Sequence, residues 1–364
     1  MHIAIDARII STSTGRYVER LVTNLEKLDS PHEFSIIVRE KDKDYWKPKK
    51  SNFTVVVADY PDYTFSEQLG FNSFLRKLNA DLVHFCMPQQ PLLYTGKSVT
   101  TIHDLNLIRI DRNDDMSKPV LRFKQQIFRG LLHTVIGRSR HIITPTKFVM
   151  KDVQRFHKIP KSRISVTYES AEKVSRKPKA VPKYKRTPFL LMVGRTEYYK
   201  NHRGVIEALQ AQLWRHPELR LVIVGKRDDS SHELEEWTKT HGYRNVDFFG
   251  FASDAELAWL YEHCQVYVFA SYMEGFGLPG LEAMNHDAPV ASSNRTTLPE
   301  VYGDAAIYFD PSDPAEIAEV IGKVLNNSRL RKKLITAGTK QAKLYSWEKM
   351  AKETLAIYHK ALKN

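Results

Sequence analysis

Thirteen short apolar runs, separated by amphipathic stretches, constrain this 364-residue chain more than any other feature. Seven come first: HIAID (2–6), FSIIV (34–38), TVVVA (54–58), DLVHFC (81–86), VTTIH (99–103), HIITP (141–145) and ISVTY (164–168). Six follow: FLLMVG (189–194), RLVIVG (220–225), VDFFG (246–250), VYVFA (266–270), PVASS (289–293) and AIYFD (306–310). Runs of β-branched and apolar residues without alternation suit parallel strands covered on both faces. Helical patterns at 16–28, 67–78, 120–136 and 147–157 alternate with the first set, which implies right-handed β-α-β crossovers. Ser253 with Glu256, and Asp313-Pro314 with Glu316, carry helix-start signals. Between the two sets, AEKVSRKPKAVPKYKRTP (171–188) is rich in Lys, Arg and Pro and has no apolar period, so it reads as a linker.

The expectation is an α/β protein of two doubly wound domains, 1–170 and 189–345, facing each other across a cleft, with a helical C-terminal segment through 346–364. Ligands of such sheets sit outside the carboxyl ends of the strands. The residues that matter are therefore those just after strands.

Composition narrows the function classes. Hydrophobic content of 42% and charged content of 27% describe a globular protein. Cys86 and Cys264 stand far apart without a C-x-x-C, which argues against a disulfide framework or zinc site and for a reducing, cytoplasmic setting. MHIAIDARII reads as a first strand rather than a signal peptide, and no apolar run approaches the ~20 residues of a spanning helix. Net charge is +13, but 118–186 alone holds 19 basic residues against three acids, Asp152, Glu169 and Glu172. Its natural partner is anionic: lipid headgroups, nucleic acid or a phosphorylated substrate.

SYMEGFGLPGLEAM (271–284) leaves the run VYVFA through three glycines and a proline, with Glu274 before them and Glu282 after. Pro279 suits a first helical turn, whose unpaired N–H groups and dipole make an anion site. Gly277 lets backbone come close to a phosphate. Arg195 and Lys200 follow FLLMVG and can hold a diphosphate, although alone they read equally as solvated loop charges. A glutamate beside a phosphate suits vicinal hydroxyls, so two of them flanking a phosphate site describe a nucleotide sugar. A glycine-rich turn with two incidental glutamates is the plain alternative.

With TGRYVERLVTNL near the start, TIHDL (100–104), ITPTKFVMKDV (143–153), VGRTEYYKN (193–201) and EGFGLPGLEAM with its E-x7-E spacing, the chain resembles a family-4 retaining glycosyltransferase of the GT-B fold through nearly its whole length. The resemblance implies two Rossmann-like domains, the first on the acceptor side and the second binding a nucleotide-sugar donor. It implies that Glu274 contacts the donor sugar near the reacting carbon, Glu282 the ribose hydroxyls, and Arg195 and Lys200 the diphosphate, helped by the backbone of Gly277 and Leu278. His103 resembles the family's histidine close to the transferred sugar. Phe251 is a candidate for the base, and the helix of Tyr358 is expected to cross back to the first domain. Only Gly15 matches the glycines common in the family's first loop, and TYES (167–170) stands where an Asn-Gly pair is frequent.

Neither a cofactor nor a metal is expected. The D-x-D of Asp42-Lys43-Asp44, which would suit a metal-dependent GT-A transferase, lies in the mixed-charge loop REKDKDYWKPKK. A nucleic-acid-binding protein is a second rival, but no recognised module accompanies the basic stretch and no nucleic acid is expected. A non-catalytic partner subunit is a third. The expected donor is GDP-mannose, then UDP-glucose or UDP-N-acetylglucosamine. The acceptor is a glycan or lipid-linked glycan of cell-envelope polysaccharide synthesis, reached from an anionic membrane, the inner face of the plasma membrane, through 118–186.

Overall fold

The computed structural model describes residues 1–12, 14–110 and 117–363. Ser13 of the first loop and Asn364 of the terminal segment lie outside the described residues. The chain divides into two compact units. One comprises Met1–Ile108, Phe123–Glu169 and Ser346–Asn364; the other comprises Arg109–Arg122 and Ser170–Tyr345.

All thirteen apolar runs form strands, each within a residue or two of the expected ends. In the first unit these are β1 (His2–Asp6), β2 (Glu33–Val38), β3 (Phe53–Val57), β4 (Leu82–Phe85), β5 (Ser98–Thr101), β6 (His141–Thr144) and β7 (Ile164–Val166). They pair in parallel in the order β3-β2-β1-β4-β5-β6-β7. The second unit holds β8 (Phe189–Val193), β9 (Arg220–Val224), β10 (Val246–Gly250), β11 (Val266–Phe269), β12 (Val290–Ser293) and β13 (Ala306–Phe309), in the order β10-β9-β8-β11-β12-β13. These are two Rossmann-like sheets. The strand order reverses between β1 and β4 in one, and between β8 and β11 in the other, and a reversal of this kind is where doubly wound sheets open to ligand.

Helices cover the sheets because their apolar stripes have nowhere else to go. In the first unit Leu132 and Ile136 of the helix Lys118–Arg138 pack with Ile102, Ile142, Val149 and Val153. In the second, Val205, Ile206 and Leu209 meet Leu221, Ile223, Val266, Val268 and Ile321. Each such fully buried side chain contributes about 1.5–3 kcal/mol from desolvation alone. Helix starts are capped as their sequences require: Thr146 accepts from the Val149 N–H, Ser253 and Glu256 form a reciprocal capping box, and Asp313 accepts from Ala315 and Glu316. The helix expected from 67 begins instead as a π turn, Glu67–Phe71, before continuing as Asn72–Leu78. Glu67 in that turn is fully buried and accepts from Arg8 (3.0 Å), Gln89 (3.2 Å) and the Tyr63 N–H (2.9 Å).

The helix Trp347–Lys363 belongs to the first unit, where the Tyr358 hydroxyl and His84 Nδ1 hydrogen-bond at 2.6 Å. Segment 171–188 has a single short 3-10 turn, Pro182–Tyr184, and is tied to the second unit: Lys183 and Tyr184 bond Asp247 at 2.9 and 3.1 Å. Cys86 and Cys264 are buried free thiols.

Candidate functional site

In the second unit β8 and β11 are neighbours at the reversal of strand order, so the loops that follow them share one sheet edge. The loop after β8 carries Arg195 and then the 3-10 turn Tyr198–Lys200. The loop after β11 carries Glu274 and enters the helix Leu278–Asn285 with Pro279 in its first turn. Lys200 and Glu274, 74 residues apart in sequence, meet in this way: Nζ donates to Oε1 at 2.5 Å, with side chains only 16% and 12% exposed. The ammonium also lies 5.0 Å from the Tyr199 ring centroid and 5.5 Å from that of Phe269. An ion pair this sheltered is screened far less than one in open water. Arg195 is about half exposed, 3.7 Å from Glu197.

The Glu274 backbone is pinned from the loop after β12. Its N–H donates to the Thr296 hydroxyl at 3.2 Å, and its carbonyl accepts from the Thr297 hydroxyl at 3.3 Å. Thr296 has φ +54°, an uncommon conformation for a β-branched residue and one that costs on the order of 1–3 kcal/mol. Gly277 caps the helix at φ +99°, where a side chain would be strained. Leu278 is the first helical residue, and its N–H is among those left without an intrahelical partner. Glu282 lies about one turn inside, buried, and accepts from the Tyr261 hydroxyl at 3.1 Å. This edge therefore gathers two cations, a helix start and two carboxylates, which together can hold a doubly anionic group with hydroxyl-bearing groups beside it. Phe251, by contrast, is 88% exposed just past β10, the edge strand of this sheet and not a neighbour of β11.

The first unit holds the remaining candidates. His103 follows β5, half-buried, with Nδ1 3.0 Å from Glu169 Oε1, Nε2 3.0 Å from the Cys86 carbonyl, and its ring edge-on to Tyr17 at 4.8 Å. A carboxylate and a carbonyl both accept, so both contacts are made together only when both ring nitrogens carry protons, and the pair favours the imidazolium. Burial opposes that charge, yet the hydrogen bond and charge of Glu169, the Cys86 carbonyl and Asp104 outweigh it, and the His103 pKa lies above the ordinary histidine value. Gly15 opens the helix Gly15–Lys27, and a Cβ there would come within 2.2 Å of the Ile9 carbonyl oxygen. Of the D-x-D pair, Asp42 is buried while Asp44 is exposed and pairs with Lys47 at 3.3 Å. Among the described residues no group of three or more His, Cys, Asp or Glu is placed to hold a metal.

Sequence reasoning missed Thr296, Thr297, Tyr261 and the partnership of Glu169 with His103. The rule that singled out residues after strands also covers Thr296 and Thr297, which follow β12. Glu169 stood in plain view as the TYES departure.

Two Rossmann-like units, with cations, carboxylates and a glycine-capped helix at one strand reversal, form an arrangement that suits an anionic, nucleotide-like ligand. Comparison with known proteins agrees over almost the full length. Residues 14–170 match the model described as Glycosyltransferase Family 4, and residues 173–341 the one described as Glycosyl transferases group 1. O-antigen chain mannosyltransferase B of Escherichia coli is 30% identical over 72% of this chain and 70% of its own length. O-antigen chain mannosyltransferase RfbU of Salmonella typhimurium is 26% identical over 69% of this chain and 67% of its own length. Among solved structures, sucrose-phosphate synthase from Thermosynechococcus elongatus superposes with a TM-score of 0.76, covering 99% of this chain and 98% of that one at 18% identity, a likeness of fold. The chain belongs to glycosyltransferase family 4 and has the two Rossmann-like domains of the GT-B fold.

Proposed function

We propose that this glycosyltransferase moves mannose from GDP-mannose, with retention of anomeric configuration and without a metal, to a glycan or lipid-linked acceptor in cell-envelope polysaccharide synthesis. UDP-glucose and UDP-N-acetylglucosamine are the next donors in line. The observation that carries the reading is the half-buried Lys200–Glu274 pair beside the glycine-capped start of the helix Leu278–Asn285. The mannosyltransferase relatives support the choice of sugar.

In this reading the bond between the sugar's C1 and the diphosphate oxygen breaks as the acceptor oxygen bonds to C1, and the acceptor's proton passes to the departing phosphate. Negative charge grows on the leaving oxygen. Lys200, held by Glu274, and the N–H groups at the helix start are in place before reaction, with Arg195 on the same loop as Lys200, and stabilisation of that preorganised kind is usually the largest catalytic contribution. Glu274 serves the sugar, Glu282 the ribose hydroxyls, and Phe251 the base. His103 and Gly15 serve the acceptor side. The direct test is incubation with GDP-mannose and a lipid-linked oligomannoside in EDTA. The expected product keeps the donor's anomeric configuration by NMR. An inverted product, or an absolute requirement for Mn²⁺, overturns the mechanism.

No helix among the described residues is long and apolar enough to cross a membrane. The helix Lys118–Arg138, however, exposes Val120, Phe123 and Ile127 at i, i+3 and i+7, with Arg122 and Lys124 among them. Such a face, in a segment of 19 basic residues and three acids, suits an anionic leaflet. Each nearby Lys or Arg adds about 1 kcal/mol there. Vesicles containing phosphatidylserine should co-sediment the protein at low salt and release it at high salt. Binding indifferent to lipid charge would contradict this docking.

A further inference from the structure

Tyr302 ends the short helix Leu298–Tyr302 and is fully buried. Its hydroxyl donates to the Gly277 carbonyl at 2.5 Å, and the same carbonyl accepts from the Gly280 N–H at 3.2 Å. The fit around the phenol is close. A Cβ on Gly277 would come within 2.5 Å of the Tyr302 hydroxyl oxygen, and one on Gly280 within 2.2 Å. Two of the three glycines in the turn therefore leave room for this one side chain, and the side chain fills it.

The consequence follows from peptide geometry. Among the described residues no peptide bond is cis, so the Gly277–Leu278 unit is planar and trans, and its C=O and N–H point in opposite directions. A hydrogen bond that draws the Gly277 carbonyl toward Tyr302 turns the Leu278 N–H away from it. That N–H is the first of the donors at the start of the helix Leu278–Asn285. Left alone, a glycine peptide at a turn has several orientations of similar energy, because glycine lacks the Cβ that would exclude them. Burial keeps the phenol protonated, with its pKa pushed well above the ordinary tyrosine value, so it remains a donor throughout the working pH range.

We propose that Tyr302 is a positioning residue of the diphosphate-binding turn: by holding the Gly277 carbonyl it presents the Leu278 N–H to the donor's phosphate before the donor arrives. The proposal rests on the donor reading above and adds a residue that touches neither donor nor acceptor. Tyr302→Phe keeps the ring that fills the space and removes only the hydroxyl.

The test is calorimetric titration of wild type and Tyr302→Phe with the diphosphates and monophosphates of guanosine, uridine, adenosine and thymidine. Wild type should favour one base and bind its diphosphate more tightly than its monophosphate. In Tyr302→Phe the diphosphate should lose about 3- to 10-fold in affinity, while the monophosphate stays within about 2-fold. The monophosphate value thus serves as the control for folding. A diphosphate-to-monophosphate ratio equal to wild type's overturns the role of Tyr302 and leaves the donor reading standing. A wild-type protein that binds no nucleoside diphosphate overturns the donor reading, and this inference with it.

Discussion

At the carboxyl edge of β8 and β11, Lys200 meets Glu274 across 74 residues of sequence, Arg195 stands half exposed, and a helix starts from a glycine cap. At the carboxyl edge of β4 and β5 the polar chemistry is turned inward: His103 spends both nitrogens on Glu169 and the Cys86 carbonyl, and Gly15 is crowded by the Ile9 carbonyl. Both units are doubly wound parallel sheets, so the difference lies in the loops. Each unit pairs a cationic side chain with a carboxylate at its edge, Lys200 with Glu274 and His103 with Glu169. The second adds the half-exposed Arg195 and a glycine-capped helix start, whereas in the first the second ring nitrogen of His103 is also taken, by the Cys86 carbonyl. Under the proposed reading the donor half already presents Arg195 and the helix start, with Lys200 held in reach by Glu274, whereas the acceptor half must exchange an internal contact of His103 for a substrate contact.

The largest effect should come from Glu274→Gln. Transfer should fall by about 10³ or more, with nucleoside diphosphate affinity within a few-fold of wild type, because the amide keeps the shape but not the charge of the carboxylate. Single-turnover transfer and calorimetry read the two separately, and near-normal transfer would remove Glu274 from the site. Next in size are Lys200→Ala and Arg195→Ala, each expected to cost on the order of 10²–10³ in rate by loss of charge stabilisation at the leaving oxygen. Unlike the glutamine variant, these should weaken diphosphate binding too. If both cations were dispensable, the contrast between the units would collapse.

Smaller effects separate the histidines by sign. Burial holds His84 in the first unit and His202 in the second neutral, with pKa values lowered to about 3, and His141 to about 4. Below pH ~6.5 the unfolded chain takes up protons that these folded histidines refuse. Their contribution to stability is therefore complete above that pH and shrinks as the pH falls toward 4, by up to ~1.4 kcal/mol per histidine per pH unit. His103 has the opposite sign. Its raised pKa adds stability that is fully present below the unfolded value and is lost as the pH rises through the folded one. Glu169→Gln should thus lower the melting temperature more at pH 5.5 than at pH 9, by a few degrees. A loss equal at both pH values would mean that Glu169 does not hold His103 charged.

Much of this was legible before any coordinates. Strand positions were readable because β-branched apolar runs such as RLVIV and VYVFA have few alternatives to a covered parallel strand. Lys200 and Glu274 were readable because each follows a strand, and a doubly wound sheet brings such residues to one edge. What escaped was the interior support. Tyr302 and Tyr261 look like ordinary core aromatics, and nothing local announces that their hydroxyls hold Gly277 and Glu282. The π turn at Glu67–Phe71 escaped for a related reason, since its buried carboxylate answers to Arg8 and Gln89, 59 and 22 residues away. Partners at such separations leave no period in the sequence.

The central claim is that the second unit is a preformed nucleotide-sugar site, and a thermal-shift screen of wild type against GDP-, UDP-, ADP- and dTDP-sugars tests it most directly. A ligand at 100 times its Kd adds about 2.7 kcal/mol of stability. The account predicts that sugars carried on one base, GDP first, raise the melting temperature in EDTA as well as without it, and that Lys200→Ala flattens the response. A melting temperature indifferent to all four at millimolar concentration would contradict it.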